Sequence, residues 1–257
     1  MTNYDKFKAL HCQNTAFILG NAHNVHSALI FEKLGYQAIG TSSAAIASSL
    51  GLEDGEKMHF SQLVEVVKSI VSKINLPLTV DLEGGYSRNI DTLCANVHTL
   101  AKLGVVGINL EDSITDGKRK IVDAHSFTNV IQRIKSYLDM HHIQMFVNIR
   151  TDFYIMGLDS PLKNTLKRIK LYEQVGIDGI FVPCITDLND IEQVVSATKL
   201  PINVMSVADL IDFNTLSNIG VKRVSTGPFN YHIMMQFFEK NAQKIINANT
   251  FDPLFQQ

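Results

Sequence analysis

Acidic side chains recur in this chain directly after short apolar runs. Asp81 and Glu83 follow Leu78-Thr79-Val80, Glu111 and Asp112 follow Ile108-Asn109-Leu110, and Arg150 and Asp152 follow Asn148-Ile149. If the three runs are neighbouring parallel strands, their C-terminal ends deliver these groups to one side of one pocket. Carboxylates gathered in that way repel and raise each other's pKa. A divalent cation removes the penalty, and an all-oxygen ligand set selects Mg²⁺ or Mn²⁺ over zinc. Arg150 adds a planar fork that matches a carboxylate or a phosphonate bidentately. Metal-assisted chemistry on a small anion follows. The competing reading gives the acids to helix caps and lysine pairs, and Arg150 to a structural pair with Glu111 or Asp152.

Other groups stand at similar places. Ser42 and Ser43 follow the run 38–41 and open a short helical stretch, where backbone N–H groups favour an anion and where Ser42 equally suits a helix cap. His23 follows the first run and could reach a substrate, or simply pack. Tyr86 could line the entrance through its hydroxyl or serve packing. Lys118, Lys120 and His125 lie in or near the stretch after Asp112; they could donate a proton if it folds over the pocket, or be solvated charges. Cys184 reads as a small buried hydrophobe, and nothing in the sequence lowers its thiol pKa.

The elements that would position these residues can be read from periodicity. Short β-like runs at 16–20, 38–41, 78–80, 106–110, 145–149, 179–182, 202–204 and 224–225 alternate with helical patterns at 25–34, 44–50, 61–74, 91–103, 126–140, 162–175, 188–197, 207–219 and 231–248. In the stretch 61–74, Leu63, Val66, Val67, Ile70 and Val71 fall on one helical face. Gly35, Gly104, Gly176 and Gly220 close helices with the left-handed residue that turns the chain back to a strand. Eight strand-then-helix units close a parallel (β/α)₈ barrel, whose chemistry sits at the C-terminal ends of its strands. An open doubly wound sheet is the alternative, but Gly20-Asn21-Ala22-His23 is not the glycine-rich phosphate turn it needs. No composition shift splits the chain, so 1–257 is expected to be one domain.

Composition excludes several functions. With 257 residues, 46% hydrophobic and 19% charged, the chain can bury a large core. A formal net charge of −2 offers no basic field for nucleic acid or anionic lipid. No apolar run approaches the roughly 20 residues of a membrane helix, and Met1–Cys12 does not resemble a signal peptide. An odd cysteine count of 3 without a C-x-x-C pair points to a reduced, cytoplasmic setting.

Four segments together resemble the isocitrate lyase / phosphoenolpyruvate mutase superfamily. Gly40-Thr41-Ser42-Ser43-Ala44 through Gly51 is similar to its second-strand motif, and Val80-Asp81-Leu82-Glu83-Gly84-Gly85-Tyr86 to its D-x-D-x-G-[YF] metal motif. Gly107-Ile108-Asn109-Leu110-Glu111-Asp112 resembles its G-x-x-[IL]-E-D signature, and Asn148-Ile149-Arg150-Thr151-Asp152 its A-R-T-D element. The resemblance runs from about Phe17 to about Phe229. It implies a TIM-type barrel, an Mg²⁺ site with its water shell formed by Asp54, Asp81, Glu83 and Glu111, substrate contacts from Ser42 and Ser43, and Arg150 as anion clamp. It also implies a homo-oligomer, dimer or tetramer, that exchanges the last helix, 231–248.

The reaction implied is cleavage of a C–C or P–C bond of a small 2-oxo or 2-hydroxy carboxylic acid through an enolate. The chain departs from the better-known members in three places. Glu83 replaces an Asp, the stretch Ile114–Asp123 is short and lacks the lyases' acidic Cys, and Pro183-Cys184 stands where the lyases carry a Glu. These departures place the chain with a short-loop subgroup and favour decarboxylation over stereospecific cleavage. They also leave open a barrel that binds a carboxylate without turning it over.

Overall fold

Each stave of the barrel is a short run that carries at least one Ile, Val or Leu. The computed structural model describes residues 1–255, and within them the strands and helices follow in the order β1 (Phe17–Ala22), α2 (Val25–Lys33), β2 (Ile39–Thr41), α3 (Ser43–Ser49), α4 (Phe60–Val71), β3 (Leu78–Asp81), α5 (Ile90–Lys102) and β4 (Gly107–Glu111), preceded by α1 (Asn3–Cys12). A two-stranded hairpin, β5 (Ser113–Asp116) and β6 (Lys118–Ile121), comes next. Then follow α6 (Ala124–Met140), β7 (Phe146–Arg150), α7 (Pro161–Glu173), β8 (Gly179–Val182), α8 (Leu188–Ser196), β9 (Ile202–Met205), α9 (Phe213–Asn218), β10 (Arg223–Ser225) and α10 (Phe229–Ala248). The parallel strands pair in the order β1-β2-β3-β4-β7-β8-β9-β10 and close back on β1. This is the (β/α)₈ barrel the alternation predicts. Gln256 and Gln257 of the expected single domain lie outside the described residues.

The helices bury one stripe each. Leu63, Val67 and Ile70 of α4 and Leu93, Val97 and Leu100 of α5 enter one continuous core with the strand side chains. Asn89 caps α5 by accepting from the Thr92 N–H at 2.9 Å. Gly104 closes it at φ +97°, where a side chain would be strained.

Three features differ from the sequence reading. Residues 3–12, too polar to register as a core element, form α1. Its Phe7, Leu10 and His11 are buried, and His11 stacks on Phe146, at the start of β7, with ring centroids 4.1 Å apart. This helix stops the barrel at the end opposite the strand C-termini. The helix expected over 207–219 is only Phe213–Asn218, because Asp212 accepts from the N–H groups of Asn214 and Thr215 and starts the helix there. Asp209, at φ +67°, interrupts any earlier turn. The stretch after Asp112, expected as a plain loop, is the β5–β6 hairpin, turned by Gly117 at φ +70°.

Two surfaces complete the description. α10 leaves Ile233, Met234, Met235, Phe237 and Phe238 exposed. No described helix is long and apolar enough to cross a membrane.

Candidate active site

At the C-terminal ends of the strands lies a pocket of about 260 Å³. Its polar lining is Asn21, Ser42, Ser43, Asp54, Asp81, Asn109, Arg150 and Ser225, and its apolar wall includes Ile155, Phe181, Met205 and Phe229. The volume suits a small acid rather than a cofactor-sized ligand. Strand register explains the assembly. Asp81 on β3 pairs with Asn109 on β4, and Glu111 on β4 pairs with Arg150 on β7, so adjacent staves deliver acid, amide and guanidinium side by side.

The acids fall into two sets. Asp81 and Asp54 face the pocket. Asp81 Oδ2 accepts from the Ser43 hydroxyl at 2.7 Å, while Asp81 Oδ1 is buried without a hydrogen-bond partner. Burial raises the Asp81 carboxyl, against the opposing pull of Arg150. Asp54, whose side chain is 46% exposed, is held loosely by Arg119 at 3.5 Å.

Glu83, Glu111 and Asp152 stand behind these two. Glu83 accepts from the Tyr86 hydroxyl at 2.5 Å and the Glu56 N–H at 2.6 Å, and burial pushes it up to about 7. Glu111 lies 3.1 Å from Arg150 and 3.4 Å from Arg119. Asp152 takes the shorter contacts: Arg150 Nε at 2.6 Å, Arg119 Nη1 at 2.8 Å and the Ser113 hydroxyl at 2.6 Å. Two carboxylates thus share two guanidinium groups unequally. Burial works to raise both; in Asp152 the arginines and Ser113 outweigh it and hold the carboxyl below its usual range, whereas Glu111 goes up to about 8. Asp112, the second acid of the Glu-Asp pair, is structural. Arg168 and the Tyr172 hydroxyl donate to it at 3.1 Å, and it accepts from the Asp152 N–H at 3.0 Å.

Among the other candidates, Ser42 is a helix cap that also borders the pocket. It lines the pocket and caps α3 by accepting from the Ala45 N–H at 3.2 Å. Tyr86 spends its hydroxyl on Glu83 instead of lining the pocket. His23 is buried edge-on against Tyr231, with centroids 4.8 Å apart, and its ring is used in packing. Lys118 is exposed at the hairpin turn. His125 opens α6 and lines an outer groove with Lys163, Lys167 and Lys170 of α7, outside the pocket. Neither residue is brought to the acids. The hairpin does deliver a cation there, but it is Arg119, one residue beyond Lys118. In a two-residue repeat, neighbours point to opposite faces, so only one of the pair can turn inward. Cys184 lines the pocket, and burial pushes its thiol up.

The donor set fits a hard divalent ion. Asp81 Oδ1 is an unsatisfied buried acceptor in the pocket wall, and every neighbouring acid offers oxygen. Among the described residues, no three His, Cys, Asp or Glu side chains converge to ligate one ion unaided. The arrangement therefore suits an ion that keeps most of its waters, as Mg²⁺ does. Asp81 would hold it directly, with Asp54, Glu83 and Glu111 reached through the water shell. A consequence can be measured. Burial pushes Glu83 up to about 7 and Glu111 up to about 8, so protons compete with a cation for these acids around neutral pH. Apparent Mg²⁺ affinity should therefore rise between pH 6 and pH 8.5, by up to about tenfold per pH unit for each proton released. The sign also fixes stability. Carboxyls raised in the fold stabilise it fully below the unfolded value near 4.5, and that contribution is lost as pH rises through 7 to 8. Mg²⁺ should raise the melting midpoint more at pH 8.5 than at pH 6. Calorimetric and thermal titrations at both pH values check this, and a flat profile contradicts it.

Comparison with known proteins agrees with the barrel fold. The profile of the phosphoenolpyruvate phosphomutase family matches residues 7–246. A candidate phosphonomutase from Burkholderia cenocepacia superposes with a TM-score of 0.88 at 30% identity, covering 94% of this chain and 99% of that one. The 2-methylisocitrate lyase of Escherichia coli is 26% identical over 93% of this chain and 78% of its own length. A phosphonopyruvate hydrolase solved with oxalate and Mg²⁺ shares the fold at 21% identity, with a TM-score of 0.85 over 97% of this chain and 88% of that one. The chain belongs to the phosphoenolpyruvate mutase / isocitrate lyase superfamily.

Proposed function

We propose that the chain is an Mg²⁺-assisted lyase acting on a small 2-oxo or 2-hydroxy carboxylic acid, cleaving a C–C or P–C bond through an enolate. The observation that carries this reading is Asp81. Its Oδ1 is buried and unpaired in the wall of a pocket whose arginine, Arg150, is paired with Glu111 and Asp152. An isolated buried carboxylate is expensive to keep without a partner. Bound there, Mg²⁺ would supply a Lewis acid for the charge that develops on the substrate's oxo and carboxylate oxygens.

The chain's own residues do the rest. Arg150, fixed by Glu111 and Asp152, presents the remainder of its guanidinium to an anion. Ser43 holds Asp81 in one rotamer. Ser42 and Asn21 border the same space. The titratable side chains lining the pocket are Asp54, Asp81, Arg150 and Cys184, and no lysine or histidine is among them. A positioned proton donor is worth about 10²–10⁴-fold in rate. Oxaloacetate-type decarboxylation needs it least, because water can protonate the enolate after CO₂ leaves. That step breaks the C3–C4 bond, and the electron pair passes to the enolate before C3 takes a proton from water. Phosphonopyruvate-type chemistry is the second candidate.

The test is a panel of oxaloacetate, phosphonopyruvate and alkyl-substituted malates with purified protein and Mg²⁺. Turnover above that of an Asp81→Ala variant is expected for at least one. No turnover, with oxalate still bound, would leave the non-catalytic carboxylate-binding barrel.

The exposed apolar face of α10 supports a homo-oligomer in which this helix packs on a second copy. A Phe237→Asp, Phe238→Asp double variant should sediment as a smaller species than the parent, and parent protein that sediments as a monomer contradicts this. The free cysteines Cys12, Cys94 and Cys184 agree with a cytoplasmic setting.

A further inference from the structure

The barrel beneath the pocket is unusually polar. Asn109, Asn148, Asn203, Arg223 and Ser225 are all buried there, where such barrels normally stack branched aliphatic side chains. Arg223 has no exposed surface. Its Nη2 donates to Asn109 Oδ1 at 2.8 Å, while its Nε and Nη1 have no partner. Asn148 Nδ2 donates to the same Asn109 oxygen at 2.9 Å and to Asn203 Oδ1 at 3.3 Å. Asn203 Nδ2 in turn donates to Ser225 Oγ at 3.0 Å.

This network fixes one orientation. A guanidinium has donors only, so the Asn109 atom facing Arg223 must be the carbonyl oxygen. The amide nitrogen is then on the other side. It makes no hydrogen bond to any described residue, and Asn109 lines the pocket. We propose that Asn109 is a substrate-contacting amide donor on the pocket floor, and that Arg223 is the positioning residue that locks its amide with the nitrogen facing the substrate. A hydrophobic residue would fill the space of Arg223 at lower desolvation cost. Burial drives the guanidinium down to about 9 against the pull of Asp81, the acid that favours its charge. An upward-facing amide beside Asp81 is suited to a carboxylate or enolate oxygen of the substrate.

This inference rests on the pocket being the substrate site, and oxalate with saturating Mg²⁺ is the probe. Wild-type protein is expected to bind oxalate in a calorimeter. Asn109→Asp keeps the shape but replaces the donor by an acceptor, and should weaken oxalate about 10–100-fold with Mg²⁺ affinity retained or increased. Arg223→Met should weaken oxalate about tenfold, and Arg223→Lys less. In an Asn109→Ala background, Arg223→Met should add no further loss, because a positioning residue acts only through the residue it positions. Melting curves establish that each variant folds. If Arg223→Met does not fold, the Lys variant carries the cycle. A crystal structure with oxalate should put Asn109 Nδ2 within about 3.2 Å of an oxalate oxygen. Wild-type protein that binds no oxalate overturns the functional reading and this inference with it. Oxalate bound equally by wild type and Asn109→Asp overturns this inference alone, and additive losses in the cycle overturn the role of Arg223.

Discussion

Asp81→Ala is expected to abolish measurable Mg²⁺ binding and to cut turnover by at least about 10²–10³-fold, the range found when one preorganised stabiliser of developing charge is removed. The effect should fall on kcat and on kcat/KM alike, since the group acts where charge builds up and not on the substrate's resting form. Asp81 is the acid with a free buried oxygen. Glu83, Glu111 and Asp152 all have their oxygens engaged by Tyr86, Glu56, Ser113 or arginine. The same substitution should remove the thermal stabilisation by Mg²⁺, which in the parent grows with the logarithm of ion concentration. A variant that still melts higher with Mg²⁺ would show that the ion is held elsewhere.

Arg150→Met is expected to have the largest effect on stability. Arg150 lies 3.1 Å from Glu111 and 2.6 Å from Asp152, and all three side chains are buried. Removing one partner of a buried ion pair costs about 3–5 kcal/mol, because the other charge is left uncompensated. Here the ionised Asp152 loses its nearest cation, although Arg119 still reaches it at 2.8 Å. For a chain of this size, the loss corresponds to a fall in melting midpoint on the order of 10 °C. The sign of its pH dependence follows from Asp152, whose carboxyl is depressed in the fold. Its stabilising contribution is present above the unfolded value near 3.9 and disappears as pH falls through the lower folded value. The penalty of Arg150→Met should therefore be full at pH 7 and shrink below about pH 4. Urea unfolding at both pH values measures it, and a loss below about 1 kcal/mol at pH 7 would mean that Arg119 alone holds the pair.

Much of this site could be read before the fold was known. Asp81 ends a short apolar run, as do Glu111 and Arg150 beside it, and the rule that barrel chemistry lies at strand C-termini converts position along the chain into position in space. Ser42, Ser43, Asp81 and Arg150 reach the pocket by that logic. Asp54 follows no such run and is indicated by the family resemblance alone. What periodicity could not give was which polar group turns inward. Glu83 and Tyr86 both adopt left-handed backbone, with φ +50° and +58°, and that turn aims them at each other. Lys118 and Arg119 are adjacent and alike in charge, and only the hairpin register separates them. The signal for the hairpin was Asp116-Gly117 between stretches of residues able to form strands, a pairing that favours tight turns.

The polar shaft was also visible in principle. Thr79 and Asp81, Asn109 and Glu111, Asn148 and Arg150, and Arg223 and Ser225 are polar pairs spaced by two along their strands. A parallel strand buried on both faces should read as an apolar run. Polar residues at every second position therefore mark the face that looks into the barrel. α1 and the shortened α9 had weaker signals. The first buries only Phe7, Leu10 and His11 on one side. The second is set by the Asp212 cap and not by its apolar pattern.

Charge ties these observations together. Asp54, Asp81, Glu83, Glu111 and Asp152 surround one region, and among the described residues only Arg119 and Arg150 form ion pairs there, with Asp54, Glu111 and Asp152. Without a metal, proton uptake by Glu83 and Glu111 offsets the excess. With one, those protons can leave. The most direct test is a crystal grown with Mn²⁺ and oxalate, with the ion located by its anomalous scattering. The account predicts one peak within coordination distance of Asp81 Oδ1, waters between it and the acids behind, and oxalate in the remaining positions. A pocket that takes up oxalate with no such peak, Arg119 still lodged among Asp54, Glu111 and Asp152, would contradict it.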